Sequence, residues 1–408
     1  MRLNAAVVVL LTGLVAATYG FGIYLFAQLV PDMQASFGFD FSYVGSITAS
    51  AQLGFLLGAL LAVWLTPKIG GGWMIVASGT VCALALLLIP LSNNIFVVGV
   101  LLTLLAGTAA TVFVPMVDVI ASVVAYRYRG LAMGLVSSGT SYGVAINSLL
   151  VPLYVPQGEW RSVWWLVGLL TVAMAVLVLL VFKKGGLLGQ NVPVAAAPAT
   201  EDVALPSLRL ELIKPWVLLI WSMNFLIGFA TFPFQTYLSS YLRTELGFGV
   251  QYSAQVWALI GFVGMFAGLA IGWLSDRIGL RAAMLLVYGC VVLAALIFVV
   301  SPSGYWPLVA AVLFSTAFYP IFGLIPAYVS KLASSSAMAV SIFGIANVMQ
   351  GSGGMLGNYG AGLLANHSGS FAGVYAAISG VGVLLIVLTL KLPRETPATA
   401  AAGLTASC

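Results

Sequence analysis

Runs of about 20 or more mainly apolar residues alternate with short polar breaks along the whole chain. Each helix needs about 20 residues to cross a hydrocarbon core of about 30 Å, and the pattern predicts twelve such spans. They run approximately from Ala5 to Val30, Ser42 to Thr66, Trp73 to Leu91, Ile95 to Val124, Leu131 to Val155 and Ser162 to Phe182. A second set covers Pro215 to Leu242, Ser253 to Leu274, Ala282 to Val300, Trp306 to Ser330, Met338 to Leu364 and Phe371 to Leu390. The expected fold is an all-α integral membrane protein of twelve transmembrane helices.

Composition agrees with the pattern. Of 408 residues, 62% are hydrophobic and 6% charged, against about 25% charged in ordinary soluble domains. A water-soluble globule, a nucleic-acid binder and a disulfide scaffold are excluded. Cys82 and Cys290 sit inside apolar runs and Cys408 ends the chain, so the cysteines read as free thiols, and no cofactor or metal is expected.

The basic residues set the orientation. With the N-terminus inside, Arg2, Lys68, Arg127, Arg129, Lys183, Lys184, Arg209, Lys214, Arg277, Arg281, Lys331, Lys391 and Arg394 are cytoplasmic, and only Arg161 and Arg243 are outside. That division follows the positive-inside rule and places both termini in the cytoplasm, in a cell inner membrane.

The longest break, Lys183 to Lys214, contains Gly185, Gly186, Pro193 and Pro198 and reads as a flexible linker. It divides the chain into an N-terminal six-helix bundle (1–184), a cytoplasmic linker (185–213) and a C-terminal six-helix bundle with a short tail (214–408). The halves echo one another at an offset of 205 to 209. Gly20-Phe21 matches Gly228-Phe229, Gly38-Phe39 matches Gly247-Phe248, Cys82 matches Cys290, Pro115 matches Pro320, and Ala132-Met133 matches Ala337-Met338. Echoes in register indicate an internal repeat.

After the eighth span stand Gly272, Asp276, Arg277, Gly279 and Arg281, in the spacing G-x-x-x-D-R-x-G-x-R. This resembles the loop signature of the major facilitator superfamily. The first-half copy, Val63 to Gly70, keeps Lys68 and Gly70 but has Pro67 in place of the acid. The stretch from Tyr126 to Gly134 is also similar to bacterial organic-solute members, relatives of monocarboxylate carriers. The resemblance implies two six-helix pseudo-repeats, a central path lined by spans 1, 4, 7 and 10, and alternating access to it. It also implies that Lys68, Asp276, Arg277 and Arg281 belong to inner gate contacts.

Among ten acids, only Asp118 falls within a span. It shares a helical stripe with Thr108, Thr111, Pro115 and Ser122. A polar stripe in a membrane helix faces a cavity or a neighbouring helix. Three roles stay open for Asp118: pairing with Lys68, Arg127 or Arg129 at an inner gate, carrying a coupling proton, or meeting a cationic substrate.

Span seven carries a second stripe of Asn224, Gly228, Thr231 and Gln235 beside Pro233. Tyr19 and Tyr24 of span one, Asn147 of span five, Tyr319 of span ten and Asn347 of span eleven complete the candidate substrate contacts. Five positions in an α-helix turn by about 140° beyond one revolution, so Tyr19 and Tyr24 are expected on different faces. Amides and phenols donate and accept without charge, which suits a small organic solute that is neutral, zwitterionic or a monocarboxylate. No Lys or Arg lies within a span, so a desolvated dianion would lack the cation its burial demands. His367, the only histidine, falls in an outer loop, and no enzyme is expected. The reading is a monomeric secondary carrier in the lipid bilayer, with protons as a possible coupling ion. An efflux antiporter and a non-transporting receptor on the same fold are the alternatives.

Overall fold

The computed structural model describes residues 2–125, 128–189 and 212–393. These residues form twelve helical rods. The first rod, α1, is composed of Arg2–Val15, a π-helical stretch Ala16–Tyr24, and Leu25–Phe37. Next come α2 (Phe41–Ile69), α3 (Gly71–Leu88, extended by Ile89–Leu91), α4 (Ile95–Val123), α5 (Arg129–Ser137 and Gly139–Tyr154) and α6 (Trp160–Lys184). The second set begins with α7, composed of Pro215–Thr236, Leu238–Ser240 and Tyr241–Glu245. It continues with α8 (Val250–Ile278), α9 (Leu280–Val300), α10 (Trp306–Leu332), α11 (Ser336–Ser368) and α12 (Ala372–Lys391).

Ten of the rods are long and apolar enough to cross a membrane. The other two are α5, interrupted at Ser138, and α11, whose serine, asparagine, glutamine and glycine content lowers its hydropathy. Both occupy the places expected for spans five and eleven. The rods alternate in direction, so residues 2 and 393 lie at one end of the bundle, the terminal end, and the opposite end is distal.

The internal repeat is visible in backbone and side chains alike. Gly38 and Gly247 both have φ +72°, while Gly70 and Gly279 have φ +89° and +87°. Each pair ends or turns a helix where a side chain would be strained. At the terminal end of α2 the Lys68 ammonium lies 3.4 Å from the Trp64 ring centre, and on α8 the Arg277 guanidinium lies 3.5 Å from that of Trp273. Trp64 and Trp273 are both exposed, as suits cation–π pairs at a membrane interface.

Within each half, helices approach through small residues, since apolar burial gives little driving force between helices in lipid. Gly54 and Gly58 of α2 bring it against the Thr103 and Gly107 carbonyls of α4. Gly143 of α5 touches Gly20 of α1, and Gly353 and Gly357 of α11 lie against the Phe225 and Phe229 carbonyls of α7. Across the halves α2 packs along α11 and α5 along α8. The start of the expected linker is ordered: Leu187 is buried, and its carbonyl lies against Gly72 of α3. Residues 190–211 of it lie outside the described residues.

Candidate substrate path and gates

The distal end is closed by polar contacts between the halves. Arg243, at the end of α7, donates two hydrogen bonds to Asp32 of α1, at 2.5 Å and 2.7 Å. Both side chains are largely covered. Nearby, the Tyr237 hydroxyl lies 2.8 Å from the Asn358 carbonyl of α11 and 3.3 Å from the Phe41 carbonyl at the start of α2. The Phe41 amide donates to Asn366 Oδ1 of α11. Gly45 and Gly362 let the two backbones meet there: a Cβ at Gly45 would stand 2.7 Å from the Asn358 carbonyl oxygen.

Towards the terminal end the same helices part. Gly130 and Gly134 of α5, Gly268 and Gly272 of α8, and Gly344 of α11 have no atom within 4 Å of where a Cβ would stand. Val340, near the start of α11, is 70% exposed. The seam between the halves is closed distally and open at the terminal end.

Between the two ends lies an aromatic cluster drawn from both halves. Tyr24 of α1 meets Trp257 of α8 edge to face at 6.5 Å between ring centres. Tyr319 of α10 lies across Gly264 of α8, and Ser141 of α5 reaches the same glycine. Trp257 is fixed by donating its indole N–H to Ser239 Oγ at 2.8 Å. The Tyr319 hydroxyl and Ser141 Oγ are buried beside each other and meet no other hydrogen-bond partner. Gly264 is decisive here, because a Cβ would stand 2.2 Å from the Tyr319 ring. Trp257 and Ser141 were not among the expected substrate contacts; an indole in an apolar run carries no signal of its own.

Tyr19 and Tyr24 meet different neighbours, Tyr24 reaching Trp257 of the second half. Both lie in the π-helical stretch Ala16–Tyr24, where hydrogen bonds run from i to i+5 and residues five apart fall about one turn apart. Tyr19 packs edge to face on Phe55 and Phe113, inside the first half.

Other candidates are engaged with backbone. Asn147 donates to the Gly20 carbonyl at 2.8 Å, joining α5 to α1. Asn224 and Thr231 are buried and bond to carbonyls of their own helix, Ile220 and Ile227. Gln235 is buried with Nε2 unpartnered, as is Gln350 of α11. Asn347 of α11 is exposed. Tyr319 is held at α8 and α5.

Asp118 is partly exposed in a cleft of about 200 Å³ between the terminal ends of α2 and α4, lined also by Thr66, Pro67 and Pro115. Among the described residues it forms no ion pair. Lys68 lies over Trp64, and Arg129 donates to the Ala121 and Val124 carbonyls at the end of α4. The third expected partner, Arg127, lies outside the described residues. Thr108, Thr111 and Ser122 bond to carbonyls of their own helix. In the second half Asp276 lines a cleft of about 250 Å³ between α8 and α10. Arg281 donates to the Thr389 and Leu390 carbonyls, capping α12.

Twelve rods in two repeats, a seam closed at one end and a polar-aromatic centre together describe a two-gated bundle. Residues 12–358 match the profile of the Major Facilitator Superfamily. The chain belongs to the major facilitator superfamily. A relative is the putative uncharacterized transporter YgaY of Escherichia coli strain K12, 28% identical over 43% of this chain and 44% of that one. Another is the cis,cis-muconate transport protein of Acinetobacter baylyi, 21% identical over 64% of each chain. The matches thus span about half to two thirds of the length of these relatives. Among solved structures, the nucleoside transporter NupG superposes with a TM-score of 0.75 at 14% identity, covering 96% of this chain and 99% of that one. That likeness concerns the fold.

Proposed function

We propose that this protein is a secondary carrier that moves a small organic solute across a bacterial inner membrane by rocking alternating access. The terminal end is cytoplasmic, the halves are 1–184 and 214–408, and the carrier works as a monomer. The observation that carries the reading is the cluster of Tyr24, Ser141, Trp257 and Tyr319. It joins helices of both halves at the level where the seam changes from closed to open. A solute held there touches both bodies, and only such a solute can couple to their relative motion.

The cluster also narrows the solute. Three aromatic rings favour a planar or unsaturated body, and the hydroxyls of Tyr319 and Ser141, which meet no partner besides each other, provide uncharged donors. The absence of Lys and Arg inside the spans favours a neutral molecule, a zwitterion or a monocarboxylate over a dianion. The relative named for cis,cis-muconate and the structural neighbour named for nucleosides agree with an unsaturated or ring-bearing body, while the two carboxylates of muconate run against the charge argument.

The test is a thermal-shift screen of the purified protein against aromatic monocarboxylates, nucleosides, unsaturated dicarboxylates and aliphatic amines. A ligand at 100 times its Kd stabilises by about 2.7 kcal/mol. Hits are expected among planar neutral or singly charged compounds. Tyr319→Ala should weaken them by about 2-fold to 13-fold, the value of one aromatic contact. Hits confined to dianions, or an unchanged Kd in Tyr319→Ala and Tyr24→Ala, would overturn the assignment.

A further inference from the structure

A buried carboxamide recurs at corresponding positions of the two halves. Gln28 of α1 and Gln235 of α7 are 207 apart in sequence, within the 205 to 209 offset of the repeat. The local drift of that offset has a structural cause. From Gly20 to Gln28, α1 has one more residue than α7 has from Gly228 to Gln235, and the π-helical stretch that ends at Tyr24 accommodates it. From there to Gly38 and Gly247, α7 has two more, taken up by its break at Tyr237 and its own π-helical turn Tyr241–Glu245. The two glutamines are therefore repeat mates, at matching depth on matching helices.

Both stand where α1 and α7 meet. Four residues advance an α-helix by about 40° beyond one turn. Gln28 is four after Tyr24, which meets Trp257, and four before Asp32, which meets Arg243, so it shares the face that looks across to the second half. Gln235 is four before Ser239, which holds the Trp257 indole. Leu25–Phe37 packs along Leu238–Ser240, and Ala16–Tyr24 touches Pro215–Thr236. Gln28 is 2% exposed and Gln235 4%. Neither amide atom of Gln28 has a hydrogen-bond partner, nor does Gln235 Nε2, so the two side chains do not bond each other. Buried amides are ordinarily paired, and three unmet atoms at one crossing set a demand that an incoming group can satisfy.

We propose that Gln28 and Gln235 form the polar end of the solute site and select a neutral amide edge: a lactam, an imide or a primary carboxamide on a planar body. A carbonyl oxygen has two lone pairs, so it can accept from Gln28 Nε2 and from Gln235 Nε2 while the adjacent N–H donates to Gln28 Oε1. One planar group then pairs all three atoms. A carboxylate would meet both donors but set its charge against Gln28 Oε1, with no Lys or Arg inside a span to compensate it. A ketone would leave Oε1 unmet. Tyr24 is one turn, about 6 Å, from Gln28 along the helix, so a single-ring solute reaches from the aromatic cluster to the amide pair. The inference rests on the solute site proposed above and names its specificity.

The test measures Kd for benzamide, 2-pyridone, benzoate and acetophenone on the purified full chain in lipid nanodiscs. Benzamide and 2-pyridone should bind about 5-fold to 150-fold tighter than the other two, the worth of one buried hydrogen bond. Gln28→Leu should bring all four to within about 2-fold of one another. Gln235→Leu should weaken all four and keep the amide preference, since its donor meets an oxygen that every probe has. Tyr319→Ala should weaken all four alike. Stability separates selection from packing: leucine has similar bulk and no amide to leave unpaired, so Gln28→Leu should raise the Tm measured without a probe. A lowered Tm would mark Gln28 as a tie between helices and overturn the selection. An amide preference that persists in Gln28→Leu, or benzoate bound by the parent as tightly as benzamide, would also overturn it, while the response to Tyr319→Ala would leave the carrier reading standing. Failure of all four probes to bind would overturn both.

Discussion

Arg243 grips Asp32 with both terminal nitrogens, and the two residues stand at the distal ends of α7 and α1, corresponding helices of the two halves. A bidentate guanidinium–carboxylate pair fixes direction as well as distance, so it resists both separation and sliding. Removing one partner forfeits a charged hydrogen bond worth about 1.5 to 3 kcal/mol. Arg243→Gln and Asp32→Asn should therefore expose the distal seam, where Ala27 is now buried. Maleimide labelling of an Ala27→Cys reporter should rise by more than about 10-fold. The exchange Asp32→Arg with Arg243→Asp should restore protection. Unchanged labelling in the single variants would show that the fork does not hold this end.

Gly264 permits Tyr319 to reach across α8. In Gly264→Ala the new methyl would occupy ring space, and Tyr319 must rotate away from Ser141. Ligand affinity should fall about as far as in Tyr319→Ala, although no group touching the solute has been removed. Combining Gly264→Ala with Tyr319→Ala should add little further loss. Full additivity, measured as Kd in a double-mutant cycle, would separate the two residues.

The glycines of the α7 and α11 contact should differ sharply from their neighbours. At Gly228 a Cβ would stand 1.9 Å from the Gln350 carbonyl oxygen, a backbone atom that cannot move without the helix. Gly228→Ala should cost about 1 to 3 kcal/mol as overpacking and lower the Tm of the purified protein. Gly344 on the same helix α11 faces open space, and Gly344→Ala should be neutral or stabilise by up to about 1 kcal/mol. Equal loss in both would contradict the packing described.

Asp40 caps the start of α2, accepting hydrogen bonds from the Ser42 hydroxyl at 2.7 Å and the Tyr43 amide at 2.9 Å. Those two bonds, the hydroxyl first, hold its carboxyl below the ordinary aspartate value. A depressed value means that the cap stabilises the fold above the unfolded pKa of about 3.9 and that this contribution is lost as pH falls through the lower folded value. Asp40→Ala should lower the Tm at pH 7, by an amount corresponding to about 1 kcal/mol for a lost cap. The gap should shrink below about pH 4, and a gap independent of pH would exclude the carboxylate as its source.

Much of the architecture is legible in the sequence, because helix length in a bilayer and the placement of basic residues are constraints that each residue type expresses locally. The loop glycines show this well: Gly70 and Gly279 are spaced alike and adopt nearly the same backbone angles. The site was less legible. Asn147 and Asn224 look alike as amides in apolar runs, but one ties α5 to Gly20 of α1 and the other bonds to its own helix. Which role an amide takes depends on a neighbour far along the chain. The Asp32 and Arg243 fork spans 211 residues and shows no local periodicity. Trp257 entered the site only through the ring it meets.

The π-helical stretch of α1 places the phase of everything beyond it. Each residue advances an α-helix by about 100°, so the surplus accommodated in a wide turn sets the azimuth of Leu25–Phe37 relative to Arg2–Val15. Relaxing Ala16–Tyr24 to α-helix with all its residues kept would change no side chain outside it, but would swing Asp32 by about 100° or more, away from Arg243, whereas removing one residue at the same time would largely cancel that rotation. In this helix an insertion or deletion of a single residue acts as an angular setting, and the partner chosen at the distal end is read from that dial.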